Sequence, residues 1–238
     1  MKIGIMQPYF FPYIGYWQLI NACDEFILFD DVQYIRHGWI NRNRILKPKE
    51  GWQYITVPLQ NHSRNEIIKN IKASENFPWK EKILRQIEWY KKIAPFYTDT
   101  INLIENTLAK VSGINIVHIN KIIIEYLCKY LDIKTNISIS SEQNFDYSNI
   151  NDPGEWALRI SEQKKADMYI NPASGKELFS KENFNRSNIK IVFLKPHEIE
   201  YNQKNSLFVS SLSIIDVLMF NGRNKTIEML NLYDISQD

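Results

Sequence analysis

The sequence predicts an α/β protein with a mostly parallel sheet, helices on both faces and a helical insertion in the middle of the chain. Short apolar segments alternate with segments of helical periodicity at both ends, and three consecutive helical segments separate those ends. Strands that alternate with helices form parallel sheets covered on both faces, so the expected sheet is Rossmann-like. We expect a single α/β domain over residues 1–238, with a helix-rich subdomain at about 79–131.

The chain opens with a predicted strand, loop and helix. Lys2–Met6 is a short apolar run that ends at Gln7 and a proline. Apolar residues at helical spacing then predict a helix over Ile14–Cys23, which leaves residues 7–13 as a loop.

A second strand is predicted at Glu25–Phe29, and it stops at two adjacent carboxylates, Asp30 and Asp31. Ligands of open α/β sheets bind at the carboxyl ends of strands, so we expect the loop from Gln7 and the segment from Asp30 to meet at one rim. The alternating run Trp52–Leu59 predicts a further strand, and a weaker one is expected at Ile67–Ile71.

Helical periodicity predicts three successive helices in the middle of the chain. They span Trp79–Ile93, Phe96–Lys110 and Ile114–Leu131, with Ala94-Pro95 as the break between the first two. The connections between them are short, so the three helices are expected to pack together.

The C-terminal part returns to alternating strands and helices. The predicted strands are Ile133–Ile139, Met168–Asn171 and Ile189–Leu194, and the predicted helices are a segment from Asp152 to Lys164, a short stretch near Lys176 to Phe184, and Leu207–Phe220. Asp152 is the expected N-cap with a proline at the first helical position, and Asn221-Gly222 is the expected end of the last helix.

Composition excludes several classes of protein. The 238 residues are 44% hydrophobic and 24% charged, which is typical of a globular protein, and the formal net charge of +2 argues against a nucleic-acid partner. With no apolar run of about 18 residues, we expect no stable membrane insertion and a cytoplasmic location. Cys23 and Cys128 have no metal-ligand spacing, so no metal site is predicted.

No glycine-rich phosphate loop occurs, so the sequence identifies no cofactor, and it does not define the oligomeric state. Aromatic residues are instead concentrated in the first quarter of the chain. Those in predicted loops include four candidate substrate-binding residues, Tyr9, Tyr13, Tyr34 and Trp39. Tyr16, at the start of the predicted helix, and Gln7, in the first loop, are further candidates. Flat amphipathic rings suit stacking on a base or sugar, and the alternative is a lid that packs over the sheet.

A polar cluster follows the second strand, with the sequence DDVQYIRHGWINRNR. Either Asp30 or Asp31 is a candidate base, and His37 is the best histidine candidate for proton transfer. Arg36, Arg42 and Arg44 are candidates for binding phosphate or carboxylate, with Arg42 as the selected catalytic candidate. Asn41 and Asn43 are further candidate donors, and a solvated, salt-bridged loop is the alternative.

Two polar residues near the C-terminus are also candidates. Asp216 and Asn221 lie on or just beyond a helix that is otherwise apolar. A carboxylate on such a helix requires a buried partner, for which we consider an arginine between residues 36 and 44.

Four segments, taken in order, resemble the WbqC-like protein family. They are MQPYFFPYIGYWQLI, DEFILFDDVQYIRHGWINRNRI, WQYITVPL and LSIIDVLMFNG. The resemblance implies a role in bacterial surface polysaccharide, including O-antigen and lipopolysaccharide, biosynthesis. It also implies either a glycine transferase or a protein that acts on amino-sugar precursors.

The opening strand, loop and helix are also similar to those of nucleotidylyltransferases, where an H-x-G-H motif contacts ATP. Tyr13 or Ile14 and Tyr16 stand at the histidine positions here, so adenylylation lacks its imidazoles.

The leading hypothesis is transfer of an acyl or aminoacyl, glycyl-type, group to the amine of a nucleotide-linked amino sugar. Asp30, Asp31 or His37 would accept the amine proton, while Arg42 and the two asparagines would stabilise the tetrahedral intermediate. The alternatives are a non-catalytic module that binds a nucleotide sugar or carbohydrate and assists a partner enzyme, and an ATP-dependent amide ligase.

Overall fold

The computed structural model describes residues 1–148, 150, 152–204 and 207–237. The strands are β1 (Lys2–Met6), β2 (Glu25–Leu28), β3 (Arg42–Leu46), β4 (Trp52–Thr56), β5 (Asn136–Ile139), β6 (Met168–Pro172), β7 (Lys190–Pro196) and β8 (Tyr233–Ser236). The α-helices are α1 (Ile14–Asn21), α2 (Trp79–Ile87), α3 (Tyr97–Lys110), α4 (Ile116–Tyr130), α5 (Glu155–Gln163), α6 (Lys181–Arg186) and α7 (Ile214–Met229).

Six strands form the main sheet in the order β5-β2-β1-β6-β7-β8, and every neighbouring pair is parallel except β7 with β8. The central strands are apolar because both of their faces are covered. Ile3 and Ile5 of β1 pack into one core together with residues of α5 and α6. Phe26 and Leu28 of β2 pack into a larger core on the other face with α1, α4 and α7. The predicted α/β class, with helices on both faces, is confirmed.

Strands β3 and β4 form a separate two-stranded antiparallel sheet. In the sequence they follow β2 and precede the three middle helices. Strand β3 was not predicted, because its first three residues, 42–44, belong to the polar cluster that follows the second strand. Its inward-facing Asn43 and Ile45 are fully buried, whereas Arg42 and Arg44 point the other way. Because arginines occupy its first and third positions, the segment lacks the apolar run that predicts a buried strand.

Helices α2, α3 and α4 follow one another as predicted, although α2 gives way to a 3-10 segment at Glu88–Lys92. The weaker strand at Ile67–Ile71 is wrong, because a 3-10 turn occupies Ile68–Asn70. Helix α5 begins later than predicted and has Gly154 as its N-cap, because the Asp152 side chain accepts a hydrogen bond from the Gly154 N–H instead.

The last helix differs most from its prediction. Its first residue is Ile214, and the backbone kinks at Gly222 (φ 66°, ψ −176°) before continuing to Met229, so Asn221-Gly222 is not its end. A Cβ atom at Gly222 would lie 2.7 Å from the Phe96 ring, which packs against the kink. Strand β8 was not predicted because it is a largely exposed antiparallel edge strand. Among the described residues, no helix is long and apolar enough to cross a membrane.

Candidate functional site

The sheet order places a topological switch point between β1 and β6. From β1 the chain passes to β2 on one side, and from β6 it passes to β7 on the other. Such a point opens a crevice at the carboxyl ends of the strands, where ligands of doubly wound sheets bind. A cleft of about 600 Å³ lies there, lined by Met6 and Gln7 at the end of β1 and by Pro172 at the end of β6.

Aromatic side chains form one wall of this cleft. The ring of Tyr9 stacks on Trp39 with centroids 5.8 Å apart and an interplanar angle of 22°. Tyr13 and Tyr16 also contact Tyr9, with centroid distances of 6.0 Å and 5.5 Å. The Tyr16 hydroxyl donates to the Gln7 carbonyl at 2.9 Å, which fixes that ring against the loop. Four aromatic rings therefore converge on one apolar surface.

Local sequence holds this wall in place. Phe10 and Phe11 are fully buried, so the loop between β1 and α1 is anchored in the core, with Phe11 in a left-handed conformation (φ 41°). The Phe11 carbonyl accepts hydrogen bonds from Asn43 at 2.5 Å and from the Ser213 hydroxyl at 2.8 Å. The Phe10 N–H donates to the Trp39 carbonyl at 3.0 Å, which joins the two loops.

Burial keeps the tyrosine hydroxyls of the cleft protonated. It raises the pKa of Tyr9, of Tyr13 and, most strongly, of the fully buried Tyr16. For Tyr9, the neighbouring Tyr13 adds to the effect of burial on the pKa, and Arg44 partly opposes it. At neutral pH these groups are hydrogen-bond donors and not bases.

Arg44 supplies the positive charge of the cleft. Its guanidinium lies 5.4 Å from the Trp39 centroid and 5.2 Å from that of Trp52. Nη2 donates to the Ser211 carbonyl at 3.3 Å, but the buried Nε has no hydrogen-bond partner. No carboxylate of the described residues pairs with it. The guanidinium as a whole is partly exposed and lines the cleft without a counterion among the described residues, so its outer nitrogens are available to an anion there.

Five of the predicted binding residues line this cleft: Gln7, Tyr9, Tyr13, Tyr16 and Trp39. The expectation that the loop from Gln7 meets the segment from Asp30 is confirmed for the later part of that segment, because Trp39 closes the cleft. It is wrong for the carboxylates themselves, since neither Asp30 nor Asp31 lines the cleft.

Both carboxylates are held by residues distant in sequence. Asp30 is buried and accepts hydrogen bonds from the hydroxyls of Ser140 and Ser141, at 2.8 Å and 2.7 Å. Asp31 pairs with Lys69 at 3.0 Å and accepts from the Tyr147 hydroxyl at 2.8 Å. Strand β5 is the neighbour of β2, so its end brings the two serines to these aspartates. These hydrogen bonds link the end of β2 to the end of β5 at the rim of the sheet.

Five other candidates lie on the same loop as Trp39 or at the start of β3 but line a different pocket: Tyr34, Arg36, His37, Asn41 and Arg42. The Tyr34 hydroxyl donates to the Asn41 side chain at 2.8 Å. The Arg42 guanidinium donates to the carbonyls of His37 and Gly38, so its contacts brace the loop.

The remaining candidates are buried. Asn43 binds the Phe11 carbonyl, and Asn221 donates to the Val217 carbonyl at 2.9 Å within α7. The expected arginine partner of Asp216 is wrong. Its carboxylate accepts from the hydroxyls of Tyr90 and Tyr201, at 2.6 Å and 2.7 Å, and from the Gln203 amide at 3.1 Å. Burial raises the pKa of Asp216 to about 6, against the lowering effect of these hydrogen bonds.

Sequence reasoning selected Arg42 where the geometry selects Arg44, and it missed Pro172 and Ser211. Alternation along β3 was a usable signal, because it places Arg42 and Arg44 on one face. Pro172 was recoverable as the residue that ends β6, whereas no local signal marks Ser211. No cluster of three or more potential metal-ligating residues occurs in the described parts of the chain.

The fold and cleft define a doubly wound α/β protein with an aromatic-lined cleft that contains one arginine, Arg44, at its switch point. Residues 7–228 match the WbqC-like protein family, and the chain belongs to that family. It is 28% identical over 218 residues to the uncharacterized protein Rv1507c of Mycobacterium tuberculosis, a match that covers 91% of this chain and 92% of that protein. No solved structure matches.

Proposed function

We propose that the cleft binds a nucleotide-linked sugar and that the protein acts in bacterial surface polysaccharide biosynthesis. The observation that carries the proposal is the position of Arg44, which no described carboxylate pairs with, beside the stacked rings of Tyr9 and Trp39. A nucleotide sugar offers phosphates to a guanidinium and flat or apolar faces to aromatic rings. The position at a switch point supports the same ligand class.

The finer proposal is transfer of an acyl or aminoacyl group to the amine of the bound amino sugar. In that step the nitrogen attacks the acyl carbonyl carbon, a C–N bond forms, the bond to the donor's leaving group breaks, and the nitrogen loses a proton. The protonated hydroxyls of Tyr9 and Tyr13 support the proposal as donors to the oxyanion that develops on the acyl group.

One observation favours a second candidate, a non-catalytic module that binds the same ligand. Among the described residues that line the cleft there is no Asp, Glu, His, Lys or Cys, so no side chain there is an obvious base. A panel of nucleotide amino sugars and activated acyl donors separates the two candidates. Amide product above the uncatalysed rate supports the transferase, whereas binding without product supports the module.

The binding proposal is tested by calorimetric titration of Arg44→Gln with UDP-, GDP- and dTDP-linked sugars at low salt. Loss of a charged contact to phosphate should weaken binding by about 1.5 to 3 kcal/mol, or roughly 10- to 150-fold. Arg64→Gln is the matched control, because Arg64 is exposed and lines none of the cleft. Equal affinities of both variants for the sugar that the wild type binds would contradict the proposal.

A further inference from the structure

A second groove adjoins the loop of residues 34–42, which also borders the cleft. One part of this groove, about 410 Å³, is lined by Tyr34, Arg36, His37 and Arg42. Another part, about 370 Å³, is lined by Phe77, Trp79, Lys82 and Arg85. Thr56 and Pro58 line both parts, so the two are adjacent at the end of β4.

The groove is positively charged. Arg36, Arg42, Lys82 and Arg85 line it, and no acidic residue of the described chain does. None of the four forms an ion pair with a described carboxylate. Four cations without counterions favour a ligand with more than one negative charge.

The second part of the groove is also apolar. Phe77 is 61% exposed, a large fraction for such a side chain, and Trp79 and Pro58 lie beside it. An exposed apolar surface next to cations fits a molecule that carries both an apolar chain and phosphates.

Resting on the proposed function, we infer that this groove binds the second substrate, a phosphate-bearing acyl thioester of the coenzyme A class. Its phosphates would pair with the cations that line the groove, chiefly the exposed Arg36 and Arg85, since guanidinium groups bind phosphate bidentately. The apolar thioester arm would lie against Pro58, Phe77 and Trp79.

The two sites are linked by a continuous row of side chains. The Arg42 guanidinium lies 4.2 Å from the Tyr54 centroid, the Tyr54 and Trp39 centroids are 6.5 Å apart, and Arg44 lies 5.4 Å from the Trp39 centroid. The rings of Tyr54 and Trp39 therefore lie between Arg42 of the groove and Arg44 of the cleft, which makes the two proposed sites neighbours.

A thioester also balances the reaction without a base in the cleft. The amine nitrogen attacks the thioester carbonyl carbon, the C–N bond forms as the C–S bond breaks, and the proton released by nitrogen ends on the departing sulfur as a thiol. No oxidant and no nucleotide hydrolysis are required.

Calorimetric titration with acetyl-coenzyme A at low salt tests the inference. The double variant Arg36→Gln/Arg85→Gln changes two exposed side chains and should weaken binding about tenfold or more. Lys91→Gln/Lys92→Gln, which removes the same charge outside the groove, should bind as the wild type does. Pantetheine, which lacks the phosphates, should bind at least as weakly to the wild type as acetyl-coenzyme A does to the double variant.

The inference is overturned if the wild type does not bind acetyl-coenzyme A, if the groove variant and its control bind equally, or if Arg44→Gln alone abolishes binding. The last result would place the thioester in the cleft. If no nucleotide sugar binds but acetyl-coenzyme A binding still depends on Arg36 and Arg85, the proposed function fails and the groove stands as a thioester site.

Discussion

Replacement of Asp216 by asparagine should remove a specific pH dependence of stability. The Asp216 carboxyl is buried, and its pKa is about 6 in the folded protein against an ordinary value of 3.8. Its hydrogen-bond partners do not titrate in this range, because burial and the nearby Asp216 carboxylate hold the pKa of Tyr90 and of Tyr201 far above neutrality. Between the two pKa values of Asp216, the folded state retains a proton that the unfolded chain releases.

The sign and size of the effect follow from linkage. A raised pKa in the folded state contributes stability that is fully present below pH 3.8 and is lost as the pH rises through about 6. At about 1.4 kcal/mol per pH unit, the contribution is about 3 kcal/mol. The amide introduced by Asp216→Asn does not titrate, so the stability of the wild type relative to this variant should fall by about that amount between about pH 4 and pH 7.

Urea unfolding of both proteins across this pH range measures the difference, and equal m-values check that the comparison is two-state. The asparagine side chain keeps one acceptor for Tyr90 or Tyr201 but turns an NH2 group towards the other donors, which lowers stability by about 1 to 3 kcal/mol at all pH values. Glu182→Gln is the control, since that carboxylate is 83% exposed and should show no such dependence. The reasoning is refuted if the unfolding free energy of the wild type, minus that of Asp216→Asn, stays constant or rises with pH.

Three further predictions concern the cleft and its supports. Trp39→Ala should weaken nucleotide-sugar binding by about 1 to 3 kcal/mol in calorimetry through lost stacking, and unchanged affinity would remove this ring from the site. Asp30→Asn should lower the unfolding free energy measured in urea by about 1 to 3 kcal/mol, because the buried serine hydroxyls lose an acceptor, and ligand affinity should be retained. Loss of turnover in a variant of full stability would instead support a catalytic role for Asp30. Gly222→Ala should lower unfolding free energy by more than about 2 kcal/mol, from backbone strain and a clash with Phe96, and a stable variant would contradict this.

The sheet could be predicted from sequence because buried parallel strands are short apolar runs. Lys2–Met6 was predicted with its observed limits for that reason. The rim of the sheet was also predictable, since parallel strands end at one edge. The orientation of side chains at that rim was not: Asp30 is satisfied by Ser140 and Ser141, about 110 positions later in the chain.

The local sequence also does not indicate which of the two neighbouring arginines lines the cleft. Arg42 and Arg44 share a face of β3, and their different roles depend on the rings of Tyr54, Trp39 and Trp52 beside them. Likewise, an aspartate on an apolar helix correctly indicated a buried partner. That this partner is a pair of tyrosine hydroxyls depends on how α7 packs against Tyr90 and Tyr201.

Strand β3 fixes the spacing along the backbone between Arg42 and Arg44. Two residues on one face of a strand stand about 7 Å apart, and the inward Asn43, tied to the Phe11 carbonyl, prevents the strand from sliding. The distance between the backbone positions that carry the two arginines is thus set by strand geometry. Evolution can change the chemistry at either position by a single substitution, while a one-residue insertion between them would turn one of the two arginines into the core.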